Sequence, residues 1–127
     1  MNYLVNGLSQ KMKRDPHMKS ISKPLTEAEF IDLIHHEKFE SCIGHFQLAQ
    51  YLTRITGKTI LENRKSIQAD YDDLILIVSV KGRLPKNGQN IRYKGNLEYT
   101  LVRFEKQTIQ DMEKTNKIIN EKLIGEI

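Results

Sequence analysis

Leu74-Ile75-Leu76-Ile77-Val78 is the stretch on which the fold turns. Apolar residues in an unbroken row leave no polar face, so the run fits a central strand covered on both sides. Lys81-Gly82-Arg83-Leu84-Pro85-Lys86-Asn87-Gly88 then breaks it with two glycines and a proline. Leu97 to Phe104 alternates well enough to be the returning strand. Further strands are expected at Tyr3-Leu4-Val5, closed by the turn Asn6-Gly7, and at Phe39 to Ile43, which stops at Gly44. Thr26-Glu27-Ala28-Glu29 is a capping box, and Phe30, Ile31, Leu33 and Ile34 behind it predict a helix over about residues 26–36. A second helix fits residues 45–56, with Leu48, Tyr51, Leu52 and Ile55 at helical spacing and Gly57 as its stop. Gln10 to Pro16 is polar and basic, and reads as a connection.

From about Glu105 the pattern turns helical again. Ile109, Met112, Asn116, Ile119 and Leu123 form a short heptad seam with one polar position. It fits a helix lying on its own domain as well as a dimer contact. The expected fold is α+β: a central mixed β-sheet flanked by helices over residues 1–104, with an amphipathic helical extension over 105–127.

Composition bounds the function. A chain of 127 residues with 39% hydrophobic content fits one domain with a real core. Charged residues make up 28%, mean hydropathy is −0.52, and no apolar run approaches the roughly 18–20 residues that span a bilayer. Met1 to Asn6 lacks the basic start and apolar core of a signal peptide, so a cytoplasmic protein without a membrane partner is expected. Cys42 is the sole cysteine, which excludes an internal disulfide and a Cys-based zinc site within one chain. A net charge of +4 fits either an anionic partner or a solvated surface with a small surplus. With no Trp and scattered Tyr and Phe, no interleaved basic and aromatic stripe for single-stranded nucleic acid is visible along the chain, and duplex nucleic acid is not an expected partner.

The histidines are His17, His35, His36 and His45. Adjacent His35 and His36 point about 100° apart on a helix, and neither has a partner four residues on, so no metal or cofactor is expected. His45 is placed differently, directly after Gly44 at a strand-to-helix junction. Free N–H groups and the positive end of the helix dipole favour a phosphate there. A glycine lets the backbone approach it without a Cβ in the way. Histidine side chains are suited to protonating a leaving oxygen near neutrality. Ordinary N-terminal helix structure gives the same local pattern. Arg64 and Arg83 could clamp phosphate bidentately and neutralise charge on a phosphorane, or be solvated loop charges. Asn6 and Ser9 could bind an anion or cap a turn, and Ser9 has no Ser-His-Asp context. Gly44, Asn63 and Lys86 complete the candidate substrate contacts.

Val5-Asn6-Gly7-Leu8-Ser9 is similar to an Asn-Ala-Phe-Ser segment, and Ile43-Gly44-His45 to an Ile-Gly-His that opens a helix. Thr59-Ile60-Leu61-Glu62-Asn63-Arg64 follows the glycine that ends that helix, and Arg83-Leu84 follows the long apolar strand. In order and in spacing from His45 to Arg64 and Arg83, these landmarks resemble the viral ring nucleases that act as anti-CRISPR proteins against type III immunity, and their bacterial and prophage relatives. The resemblance covers residues 3 to about 104. It implies a homodimer that binds cyclic tetra-adenylate across its two-fold axis, a ring whose symmetry offers equivalent phosphates to equivalent sites. It further implies metal-free cleavage in which a ribose 2′-OH attacks its own 3′-phosphate, leaving a 2′,3′-cyclic phosphate and silencing the antiviral signal. His45 would then be the general acid, Arg83 would stabilise the phosphorane, and Asn6, Ser9 and Arg64 would bind ribose and phosphate.

Two departures stand against the family pattern. Pro85 and Lys86 occupy places where relatives carry acidic residues, and the segment between the last two strands is short, without the helix that covers the ligand in some relatives. A cyclic-oligonucleotide sponge or sensor without turnover, and a mobile-element regulatory module gripping DNA or protein, therefore stay open as alternatives. A thermal-shift screen with cyclic tri-, tetra- and hexa-adenylate separates them: the resemblance predicts a shift with the tetra-adenylate, and a regulatory module predicts none with any ring.

Overall fold

The computed structural model describes residues 1–7, 12–15, 17–81 and 92–106. In chain order the elements are β1 (Asn2–Val5), β2 (Met18–Leu25), α1 (Glu27–His36), β3 (Glu40–Cys42), α2 (Phe46–Thr56), β4 (Leu74–Val80) and β5 (Leu97–Lys106). The apolar run thus becomes β4, the middle strand of a five-stranded sheet ordered β2-β5-β4-β1-β3. β1 runs parallel to both of its neighbours, β3 and β4, while β5 is antiparallel to β4 and to β2. The sheet is mixed, and the architecture is α+β.

Both faces of β4 are covered by apolar side chains. Leu76 and Val78 point to one side, where they meet Leu4, Leu97 and Tyr99 from neighbouring strands, Phe30 and Ile34 from α1, and Leu48, Ala49 and Leu52 from α2. Ile75 points to the other side, into a second cluster with Val5, Cys42, Val102 and Phe104. Ile67 and Ala69, from the irregular chain before β4, roof that second cluster, with Met12 against it. A backbone bridge between Lys13 and Ala69 holds this roof together, with the Ala69 N–H donating to the Met12 carbonyl at 2.7 Å. Among the described residues, both helices pack on the first face.

The helices begin and end where local chemistry directs. The Thr26 hydroxyl accepts from the Glu29 N–H at 3.2 Å and the Glu29 carboxylate accepts from the Thr26 N–H at 3.1 Å, completing the capping box of α1. That backbone hydrogen bond holds the Glu29 carboxyl below its ordinary value. The contribution of this cap is therefore present above the ordinary carboxylate range and is lost as pH falls through the lowered value. The Lys58 ammonium donates to the Ile34 and His35 carbonyls, closing the other end of α1 with a cation. α2 ends on Gly57 at φ 72°, a left-handed position that suits glycine.

β2 has no counterpart in the sequence reading. Met18-Lys19-Ser20-Ile21-Ser22-Lys23-Pro24-Leu25 pairs with β5 along its whole length, yet only Met18 is buried. It is an edge strand, where lysines and a proline are tolerated because they discourage further pairing. β5 runs to Lys106, two residues past the expected domain end, and the expected C-terminal helix falls on residues 107–127, outside the described ones. Among the described residues no helix is long and apolar enough to cross a membrane.

Phe30 is fully buried and stacks on Tyr99, with ring centroids 4.4 Å apart. Phe30→Ala should cost about 3–5 kcal/mol, lowering the melting temperature by at least about 10 °C. Calorimetry checks this, and a shift within a few degrees would mean that α1 is not what closes the first core.

Candidate functional site

Because β1, β3 and β4 are parallel neighbours, their C-terminal ends leave the sheet on the same side. Residues just past parallel strand ends commonly form ligand sites, since the loops there are free of the sheet's own pairing. Asn6 follows β1 and Gly44 lies just past β3, and the Gly44 N–H donates to Asn6 Oδ1 at 3.0 Å. Arg64 closes the pair from the other side, its Nε donating to the Gly44 carbonyl at 3.0 Å. Both backbone polar groups of Gly44, its N–H and its carbonyl, are thus held by side chains.

The chain delivers Arg64 there by a braced route. After Gly57, the Thr53 hydroxyl accepts from the Ile60 N–H at 2.8 Å and ties the departing segment back to α2. Glu62 then bridges to Ile43 in parallel, and the Asn63 N–H donates to the Ile43 carbonyl at 2.8 Å. The Asn63 side-chain amide donates to the Ser41 carbonyl at 2.9 Å, and the Ser41 hydroxyl to the Leu61 carbonyl at 2.7 Å. Asn63 is therefore a strut beside β3, with its Nδ2 already engaged. Arg64 keeps its two terminal nitrogens without a partner among the described residues, and its side chain is 78% exposed. Glu62 sits 3.9 Å from its Nε.

A cleft of about 260 Å³ opens here, lined in part by Asn6, Cys42, Gly44, Arg64, Lys65 and Ser66. Lys65 is paired with Glu40 at 2.6 Å, which raises its ammonium further above the ordinary lysine value, so it stays charged. Burial pushes the Cys42 thiol up, which keeps it protonated and unreactive.

His45 stands beside this cleft and does not line it. It is the N-cap of α2, exposed, with extended backbone (φ −121°, ψ 120°) and no side-chain capping bond. The first turn of α2 carries no acidic residue, in contrast to the Glu27 and Glu29 of α1. The positive end of the α2 dipole is thus uncompensated at its own first turn, which favours an incoming anion. His36, by contrast, is engaged on its own helix, with Nδ1 2.7 Å from the Asp32 carbonyl. Among the described residues no three His, Cys, Asp or Glu side chains group as a metal site. Of the remaining candidates, Ser9, Arg83 and Lys86 lie outside the described residues. The segment that carries Arg83 and Lys86 starts from the end of β4, the same side of the sheet as Asn6 and Gly44.

Fold and site together define a small α+β protein with an anion-favouring edge beyond its parallel strands. The chain belongs to the STIV B116-like family, whose model matches residues 2–105. It is similar to "Uncharacterized protein 26" of Sulfolobus islandicus filamentous virus (isolate Iceland/Hveragerdi). The two are 32% identical over 113 residues, which span 87% of this chain and 95% of that protein. Among solved structures it shares its fold with B116 of Sulfolobus turreted icosahedral virus. The TM-score is 0.66 at 19% identity, covering 80% of this chain and 97% of that one. The family is thus one of small viral proteins.

Gly44 offers a clean test of structure against binding. Its φ is not positive, and a Cβ there would meet Arg64 Cγ at 3.4 Å and Asn6 Oδ1 at 3.7 Å, ordinary contacts. Gly44→Ala should therefore fold, with a melting temperature within about 4 °C of the parent. If this edge holds cyclic tetra-adenylate, the ring that the family resemblance implies, the methyl added between Asn6 and Arg64 should weaken binding roughly tenfold, a loss of about 1.4 kcal/mol. Unchanged affinity by titration calorimetry would remove this edge from the binding site.

Proposed function

We propose that the protein is a metal-independent ring nuclease that binds cyclic tetra-adenylate at a homodimer interface and opens it to products with 2′,3′-cyclic phosphate ends. The observation that carries this reading is the clasp of Gly44 by Asn6 and Arg64 immediately before His45 at the uncapped start of α2. Those residues are the ones the family resemblance assigns to ribose, phosphate and leaving-group chemistry. In this reading a ribose 2′-oxygen of the ligand attacks the adjacent phosphorus and loses its proton to water. The bond from phosphorus to the 5′-oxygen breaks, and His45 protonates that departing oxygen. The terminal nitrogens of Arg64 and the N–H groups opening α2 hold phosphate oxygens, while Ser9 and Arg83 complete the set. Holding the ring so that attacking and leaving oxygens are in line accounts for most of the acceleration. In a viral protein the result is removal of a host second messenger and silencing of type III immunity.

Lys86, standing where the ring nucleases carry an acid, favours a second reading, a sponge that holds the ring intact. One experiment separates the two. Purified protein in excess EDTA is incubated with cyclic tetra-adenylate and the products are resolved by chromatography. The nuclease gives linear products, and His45→Ala loses about 10²–10⁴-fold in rate while still binding. Intact ring recovered after saturating binding makes the protein a sponge, and an unaffected His45→Ala strips His45 of its role.

A further inference from the structure

A second cleft lies along the exposed side of α2, about 490 Å³ in volume and sharing no lining residue with the Gly44 site. Its floor is aromatic: Tyr51 of α2 and Tyr93 meet at 5.3 Å between centroids, tilted by 37°. Its rim is cationic, with Arg54 on the helix and Arg92 and Lys94 on the opposing segment. Gln47 and Gln50, in the first and second turns of α2, add amide donors and acceptors. Arg54 is held over the Tyr51 ring at 6.0 Å, and no carboxylate partner is seen for Arg54, Arg92 or Lys94 among the described residues. Burial raises both phenols above their ordinary value, so neither becomes an anion that would repel phosphate. Glu27 acts on the Tyr51 hydroxyl from α1 but does not line the cleft.

The opposing wall is rigid for a loop. The Asn96 N–H donates to the Tyr93 carbonyl at 2.9 Å, the Asn96 amide to the Arg92 carbonyl at 2.8 Å, and the Lys81 N–H to the Asn96 carbonyl at 2.7 Å. Gly95 sits between at φ 77°, which a turn of this kind requires of its third residue. With Tyr93 buried as an anchor, its neighbours Arg92 and Lys94 are exposed on the cleft rim.

We propose that this cleft binds a segment of single-stranded oligonucleotide, with a base against the Tyr51–Tyr93 pair and backbone phosphates on Arg54, Arg92 and Lys94. Aromatic floor and cationic rim are the combination by which proteins hold single strands without reading sequence. An acidic peptide would use the rim alone. The proposal is independent of ring cleavage and stands or falls without it.

The test is fluorescence anisotropy of the full chain with labelled octa-riboadenylate and octa-deoxyadenylate between 50 and 200 mM salt. Similar affinity for both assigns recognition to base and phosphate, and a preference for the riboadenylate adds the ribose hydroxyl to it. Arg54→Gln with Arg92→Gln should weaken binding at least about tenfold and lower the salt slope by roughly 1.4, at about 0.7 per single-strand phosphate contact. Tyr51→Leu should weaken it about tenfold and Tyr51→Phe should not. Arg103→Gln, an exposed cation on β5 that lines neither cleft, should leave it unchanged. Both arginines are exposed, so the charge variant tests the cleft even if Tyr51→Leu disturbs the core it touches. Loss of binding with Arg64→Ala but not with the double variant, or equal competition by polyglutamate, overturns the proposal.

Discussion

Keeping Ile75, Leu76 and Val78 out of water requires apolar material above and below β4 and a hydrogen-bonded strand along each of its sides. Burial of such side chains is worth about 1.5–3 kcal/mol each, and most other features of the molecule serve it. α1 and α2 supply one lid, and the irregular chain around Met12, Ile67 and Ala69 supplies the other. Flanking β4 with β1 on one side and β5 on the other makes the sheet mixed. That choice has a chemical result. With β1, β3 and β4 parallel, their C-terminal ends lie on one side of the sheet, and the polar edge at Gly44 exists because the core demanded those neighbours.

The two helix starts show how the chain divides stability from reactivity. α1 opens with its N–H groups answered by Thr26 and Glu29, and its end is closed by Lys58. α2 opens with His45, whose side chain answers none of them. An unanswered helix start costs stability, typically about 1 kcal/mol relative to a good cap. Here it coincides with the clasped glycine and the exposed end of Arg64, where an anion would make good the deficit.

Features carried by neighbours in the chain were legible in the sequence: the capping box at Thr26, the stop at Gly57 and the run at Leu74 to Val78. Features made by pairing at a distance were not. β2 has little apolar pattern because it is an edge strand, and its strandedness comes from β5 rather than from its own residues. The Arg64–Gly44 bond depends on the Ile43–Glu62 bridge, which no local motif announces. The basic and aromatic groups of the α2 cleft looked scattered along the chain because Tyr51 and Arg54 lie far in sequence from Arg92 and Tyr93. The short Arg92-Tyr93-Lys94 triplet, which the sequence reading passed over, is the local signal that could have found it.

Both borders of the sheet are finished. Along β2, Pro24 removes a backbone donor and Lys19 and Lys23 bring charge. Along β3, the segment around Leu61 to Asn63 lies against the strand and occupies the Ser41 and Ile43 carbonyls. A sheet closed in this way is a poor template for lengthening by strand addition, whether by a second copy or in an aggregate.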